Sequence, residues 1–274
     1  MITVDYDDNI FIEPDYDRLN KEFMYYLNAK GKNHGISQKN YIIKCFQQDV
    51  FYKNEIELFK DENVRNFIIL NRSKFLKKYP EDLTSEDILN GFKRSGLYWG
   101  YSHFNPLWFK WFINYLNIKT CYDPCGGWGH RLLGALDLDL YIYNDISKRT
   151  YENVNHIIDY FELECITKTY NENCTKFEPK EDYEAIFTCP PYYNLEKYEV
   201  NEFTSIEEYN SFLLSIFNLF YKKESCKYLG IVIREDLVPN NDYVEKYDLL
   251  VHKSRHLIKN TDKKNNEYLY IWKK

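Results

Sequence analysis

Thr120-Cys121-Tyr122-Asp123-Pro124-Cys125-Gly126-Gly127-Trp128-Gly129-His130-Arg131-Leu132-Leu133-Gly134, residues 120–134, decides how the rest of the chain reads. A short strand-like run ends in Asp-Pro, breaks into closely spaced glycines and resumes as an apolar helical pattern. Glycine lets backbone pass where a Cβ would collide, so a strand–glycine turn–helix unit brings bare backbone to the end of a sheet. Further short runs follow: LYIYND at 140–145, CITKTYN at 165–171, YEAIFTC at 183–189 and KYLGIVI at 227–233. Between them, 130–137, 148–161 and 205–222 suit helices. Such alternation predicts an α/β fold with a mostly parallel, doubly wound, Rossmann-like sheet. The ligand crevice of such a sheet lies at the carboxyl ends of its strands. The tail, DLLVHKSRHLI at 248–258 and NNEYLYIWKK at 265–274, predicts two antiparallel strands at a sheet edge around the polar turn NTDKKNN.

Upstream, residues 16–95 read as short amphipathic helices. Apolar residues recur at helical spacing in Leu19, Phe23, Tyr26 and Leu27, and in Val64, Phe67, Ile68, Phe75 and Leu76. Thr84 with Asp87 resembles a cap and an acidic first turn for a helix through Phe92, punctuated by Gly96 and Gly100. Pro106 to Leu116 reads as a further helix with proline in its first turn.

Composition bounds the function. A chain of 274 residues can bury one sizeable core with a small accessory region. The 27 Tyr and 18 Phe, beside abundant Lys, Asn and Ile, read first as coding bias rather than as a binding surface. A net charge of −6 weighs against tight unaided binding of long duplex DNA, because phosphate neutralisation supplies most of that affinity. Seven cysteines, odd in number and without CxxC, make a disulfide framework or zinc site improbable. The acidic N-terminus lacks an apolar signal core, and no apolar stretch reaches bilayer length. A cytoplasmic protein with reduced thiols and no membrane partner is expected.

Two motifs carry chemistry. The second strand ends in Asp145, about twenty residues beyond Asp123, where an acid can accept both ribose hydroxyls of an adenosine-type ligand. The glycines do not form GxGxxG, the arrangement that keeps a helix N-terminus free for a pyrophosphate. An acid at 123 suits the sulfonium and amino-acid end of S-adenosylmethionine (SAM) better. The competing reading is a tight turn with no ligand. The fourth apolar run ends in Thr188-Cys189-Pro190-Pro191-Tyr192-Tyr193-Asn194-Leu195. Paired prolines give a stiff loop without donors of its own, so its carbonyls seek partners such as a base amino group. The following aromatic offers a stacking face for a flipped-out base. The competing reading is a rigid strand-ending turn with Tyr192 in the core.

Together these motifs resemble the class I SAM-dependent amino-methyltransferases, above all the phage-type adenine-N6 and cytosine-N4 DNA methyltransferases. Their signature is Asp, Asn or Ser followed by Pro-Pro and Tyr or Phe, downstream of a glycine-rich motif. The resemblance covers 98–274, including YWGYSHFNPLWFKWFINYL at 98–116, where a cofactor-contacting segment belongs. It implies a helical region 1–95 for target or partner recognition and a methyltransferase domain 96–274. It further implies that Asp123, Gly126, Trp128 and Gly129 wrap the methionine part of SAM. Asp145 would hold the ribose, Ile146 the adenine ring, Asn173 the adenine amino group, and Phe104 would cover the cofactor. Pro190, Pro191 and Tyr192 would receive the base. The side chain at 189 and the Pro190 carbonyl would draw the amino nitrogen towards tetrahedral geometry for in-line attack. DNA is the implied partner, with adenine N6 ahead of cytosine N4. An RNA base, or a non-catalytic nucleic-acid-binding subunit, is the alternative.

Cys189 departs from the family pattern. Sulfur is a weak acceptor, so three roles stand open: a serine-like acceptor, a passive small residue, and a thiolate attacking a pyrimidine. Elsewhere, RSKFLKK at 72–78 with Lys93 and Arg94 forms a modest basic cluster that reads first as a solvated helix face. Residues 197–209 stand where similar enzymes carry a segment that closes on the base. Arg234 and Glu235 read as structural ion-pair formers, and the histidines show no metal spacing.

Overall fold

The computed structural model describes residues 15–28, 42–43, 45–47, 104–193, 203–234, 237–238, 248–252 and 267–274. The chain divides into two compact units, Met1–His103 and Phe104–Lys274. In the first unit, helix α1 (Tyr16–Asn28) starts at Asp15, whose Oδ1 accepts from the Arg18 N–H at 2.9 Å. It buries Leu19, while Leu27 in its last turn stands exposed. The expected helices over 64–92, the basic cluster at 72–78, Lys93 and Arg94, and the boundary at 95/96 lie outside the described residues.

The second unit opens with α2 (Pro106–Leu116). Its Asn105 cap accepts from the Leu107 N–H, Pro106 fills the first turn, and Asn117 ends the helix in the left-handed region. Then follow β1 (Thr120–Asp123), α3 (His130–Gly134), β2 (Leu140–Asn144), α4 (Lys148–Tyr160), β3 (Thr167–Tyr170) and β4 (Ala185–Thr188). The unit closes with α5 (Ile206–Lys222), β5 (Tyr228–Arg234), β6 (Asp248–His252) and β7 (Glu267–Lys273). Strand order across the sheet is β3-β2-β1-β4-β5-β7-β6. All pairings from β3 to β5 are parallel, and β7 alone runs against its neighbours. This is the doubly wound sheet the sequence predicts.

The tail supplies the two antiparallel strands expected at a sheet edge, and the later one, β7, sits between β5 and the edge strand β6. Composition accounts for that order: Leu269, Tyr270, Ile271 and Trp272 are all buried, which an inner strand requires. Edge strand β3 reads Thr-Lys-Thr-Tyr, polar enough to face water along an open edge.

Alternation along the strands sorts two faces. On one, Tyr122, Ile186, Leu229, Ile231, Ile233 and Trp272 pack with Phe212, Leu213, Ile216, Phe217 and Phe220 of α5. On the other, Phe187 stacks on Phe109 at 4.6 Å and meets Phe112 at 4.9 Å, both from α2. Period-two alternation puts Asp123 on that α2 face, as it does Phe187. The order reverses at β1 and β4: β1 continues to β2 on one side, and β4 lies on the other. A crevice at the strand carboxyl ends is expected at this switch point.

Candidate cofactor and target site

The turn after β1 is held from beneath. Tyr143 on β2 donates its hydroxyl to the Gly127 carbonyl at 2.8 Å, and its ring lies against Gly126. A Cβ at Gly126 would overlap that ring. The glycine there is thus demanded by the protein's own tyrosine. Gly127 and Gly129 adopt φ of 61° and 94°, the left-handed region that side chains rarely enter. Gly126→Ala is expected to cost about 1–3 kcal/mol through displacement of Tyr143, read as a lower urea midpoint. Tyr143→Leu in the same background should recover part of that loss, and no recovery would contradict the overlap.

Asn144, fully buried at the end of β2, stitches three segments. Its amide nitrogen donates to the Pro124 and Glu172 carbonyls, and its oxygen accepts from the Glu172 N–H, all at 3.0 Å. Its own carbonyl accepts from the Gly126 N–H at 2.7 Å. Asp145 follows. One carboxylate oxygen accepts from the Gly127 N–H at 2.8 Å and the other from the Ser147 N–H at 2.9 Å. Each oxygen keeps further lone-pair capacity. Burial pushes the Asp145 carboxyl above the ordinary aspartate range, against the pull of those two N–H groups.

Asp123 has no exposed surface. Its Oδ2 accepts from Arg131 Nε at 2.5 Å and from the Tyr141 hydroxyl at 2.8 Å, and its Oδ1 from the Cys125 N–H at 3.3 Å. Asp123, expected at the methionine end of the ligand, is here engaged by the protein's own guanidinium, phenol and N–H groups. Arg131, in α3, is itself buried, and its Nη2 donates to the Cys125 carbonyl. Burial works to lower the pKa of Arg131, but the charge of Asp123 and then the electrostatic influence of Cys189 raise it above its ordinary value. The guanidinium therefore stays charged.

Phe104, expected over the cofactor, lies under the Arg131 guanidinium at 5.2 Å and edge-on to Phe187 at 6.1 Å. Trp128 and Ile146 are partly exposed. Asn173 uses its Oδ1 on the N–H and hydroxyl of Thr175, at 3.0 and 2.8 Å, so it caps a local turn. Asn171 instead donates to the Asp145 carbonyl at 2.7 Å. The Cys125 and Cys174 sulfurs stand 3.9 Å apart. That hydrogen bond, and burial after it, push the Cys125 thiol up.

Beyond β4, Cys189 and Tyr192 meet: the sulfur lies 3.6 Å from the phenol oxygen. Pro190 is buried, and Pro191, Tyr192 and Tyr193 are half-buried. Tyr193 leans on Tyr209 of α5 at 5.9 Å, anchoring the loop to the helix that follows it. Asn194 to Glu202, and with them most of the expected closing segment at 197–209, lie outside the described residues, as does Glu235. Ser205 and Ile206–Tyr209 form the capped start of α5. Among the described residues no cluster of three or more His, Cys, Asp or Glu could hold a metal. None of their helices is long and apolar enough to cross a membrane.

No family model matches the chain, and no curated protein matches it. Solved structures do. The methyltransferase domain of METTL16 is 14% identical over 78% of this chain and 98% of its own, with a TM-score of 0.47. A human methyltransferase 10 domain containing protein is 13% identical over 78% and 99%, with a TM-score of 0.46. An rRNA methylase from Streptococcus thermophilus is 12% identical over 64% and 99%, with a TM-score of 0.44. These likenesses are too distant to carry any residue's role across.

Sequence reasoning missed Arg131, Asn144, Tyr141, Tyr143 and Gly127. A signal for Arg131 was present. A cation in the first turn of a helix opposes the helix dipole, so an arginine there needs a carboxylate nearby.

Proposed function

We propose that this chain is a SAM-dependent methyltransferase acting on an exocyclic amino group of a nucleic-acid base, with adenine N6 in DNA as the first reading. The observation that carries it is that both motif loops leave the same end of adjacent parallel strands at the switch point. The glycine turn leaves β1 and Cys189-Pro190-Pro191-Tyr192 leaves the adjacent β4.

The residues fit the cofactor. Asp145 keeps acceptor capacity for ribose hydroxyls, and the glycine turn presents backbone that no Cβ obstructs. An ionised Asp145 beside a mutually neutralised Asp123–Arg131 pair leaves one negative charge, which complements the single positive charge of SAM. When bound, SAM supplies an electrophilic methyl on its sulfonium. The chain's own groups do the rest by placement. The Pro190 carbonyl and the Cys189 sulfur accept from the amino group and turn its lone pair towards the methyl. The Tyr192 hydroxyl, in contact with that sulfur, fixes the acceptor's position.

RNA is the second reading. The net charge of −6 favours it, because an unstacked base in a loop can be read with fewer phosphate contacts than a duplex demands. Incubation of the full chain with isotope-labelled SAM and separate DNA and RNA substrates, with nucleosides identified by mass spectrometry, tests both. N6-methyladenosine in RNA alone would move the substrate to the second reading. Label only at pyrimidine C5 would sink the mechanism, and cofactor binding with no transfer would leave a non-catalytic subunit.

Two further outcomes are expected. Cys189→Ser keeps or raises turnover, since a hydroxyl is the better acceptor; complete loss would point to thiolate chemistry. Cofactor affinity falls on acidification, because protonation of Asp145 removes an acceptor. As its carboxyl is raised by burial, the loss begins above the ordinary aspartate range. Calorimetric titration across pH reads the midpoint, and an affinity flat down to pH 4 would exclude Asp145 from the contact.

A further inference from the structure

We propose that Arg131 is the residue that takes the carboxylate at the methionine end of the cofactor, a role that rests on the SAM reading above. The guanidinium side chain is only 6% exposed and is held on two of its three nitrogens. Nε goes to Asp123 and Nη2 to the Cys125 carbonyl, while Nη1 makes no hydrogen bond among the described residues. A guanidinium carries five N–H donors, so Nη1 keeps donor capacity for a further acceptor. Phe104 packs across the guanidinium at 5.2 Å.

Position supplies the acceptor's identity. Asp123 ends β1, and Cys189 follows the adjacent β4. Arg131 is tied to the first by hydrogen bonding and feels the second electrostatically. Asp145 follows β2, on the other side of β1. A ligand whose ribose lies on Asp145 and whose methyl faces Cys189 must cross the end of β1, where Arg131 waits. The part of SAM beyond its sulfonium bears a carboxylate, the group a guanidinium binds best. Asp123 then serves to hold and neutralise Arg131, which accounts for its burial.

The test compares SAM with decarboxylated SAM, which differs only by that carboxylate, in calorimetric titrations of the full chain. Wild-type protein should bind the decarboxylated ligand at least tenfold more weakly, although its extra positive charge would otherwise suit an acidic protein. Arg131→Lys, which keeps the charge but loses the planar fork, should shrink the ratio towards unity. The paired Asp123→Asn/Arg131→Gln variant, which removes both charges together, should do the same. A purely structural arginine would weaken both ligands alike and leave the ratio unchanged, and that result overturns the assignment. Equal affinity of the wild type for the two ligands overturns it without any variant and leaves the SAM reading intact. Failure of both to bind overturns the SAM reading and the role of Arg131 with it.

Discussion

Arg131→Ala is expected to lower the free energy of unfolding by about 3–5 kcal/mol, the cost of leaving one member of a buried ion pair without its partner. Asp123 has no exposed surface, and among the described residues Tyr141 and the Cys125 N–H would be its remaining hydrogen-bond partners. The variant would also free the Cys125 carbonyl and open a void beside Phe104. Urea unfolding at constant slope reads the change as a shifted midpoint. The pair itself is a different matter from its breakage. Asp123→Asn/Arg131→Met removes both charges and should cost much less than Arg131→Ala alone, since desolvating an ion pair consumes most of its Coulombic gain. A single variant as stable as wild type would show that the pair is open to solvent.

Asp145→Ala is expected to weaken SAM binding at least a hundredfold while leaving the chain folded. Two hydrogen bonds from ribose hydroxyls to a carboxylate are worth about 1.5–3 kcal/mol each. The substitution also releases the Gly127 and Ser147 N–H groups, loosening the turn that the ligand meets. Asp145→Asn keeps one acceptor and should fall between the two. Calorimetry gives the affinities and a thermal melt checks the fold. Unchanged affinity in Asp145→Ala would remove the residue from the site.

Much of this fold is written locally. TCYD, LYIYN and AIFT become β1, β2 and β4 because each run is apolar enough to be buried on both faces of a parallel sheet. Pro106 and Asn105 set the start of α2, and Ser205 that of α5, through caps readable from residue type. The order of the last two strands is not local. It depends on which of them can bury both faces, and that emerges only once β5 offers a free edge. The site divides the same way. Asp145 and the glycine turn follow from strand-end chemistry. That Asp123 would be consumed by the protein does not, because Tyr141 reaches it across β1 and β2 and Arg131 from the next helix. Gly126 likewise looks like a ligand glycine in sequence, yet its neighbour is the ring of Tyr143.

The placement of β7 between β5 and β6 makes the end of the sheet depend on the order of docking, not the order of the chain. Asp248–His252 pairs with β7 and reaches β5 only through it, so the earlier strand has its place only after the later one has docked. Removal of 267–273 should therefore release β6 as well and leave the edge of β5 bare for pairing with another chain.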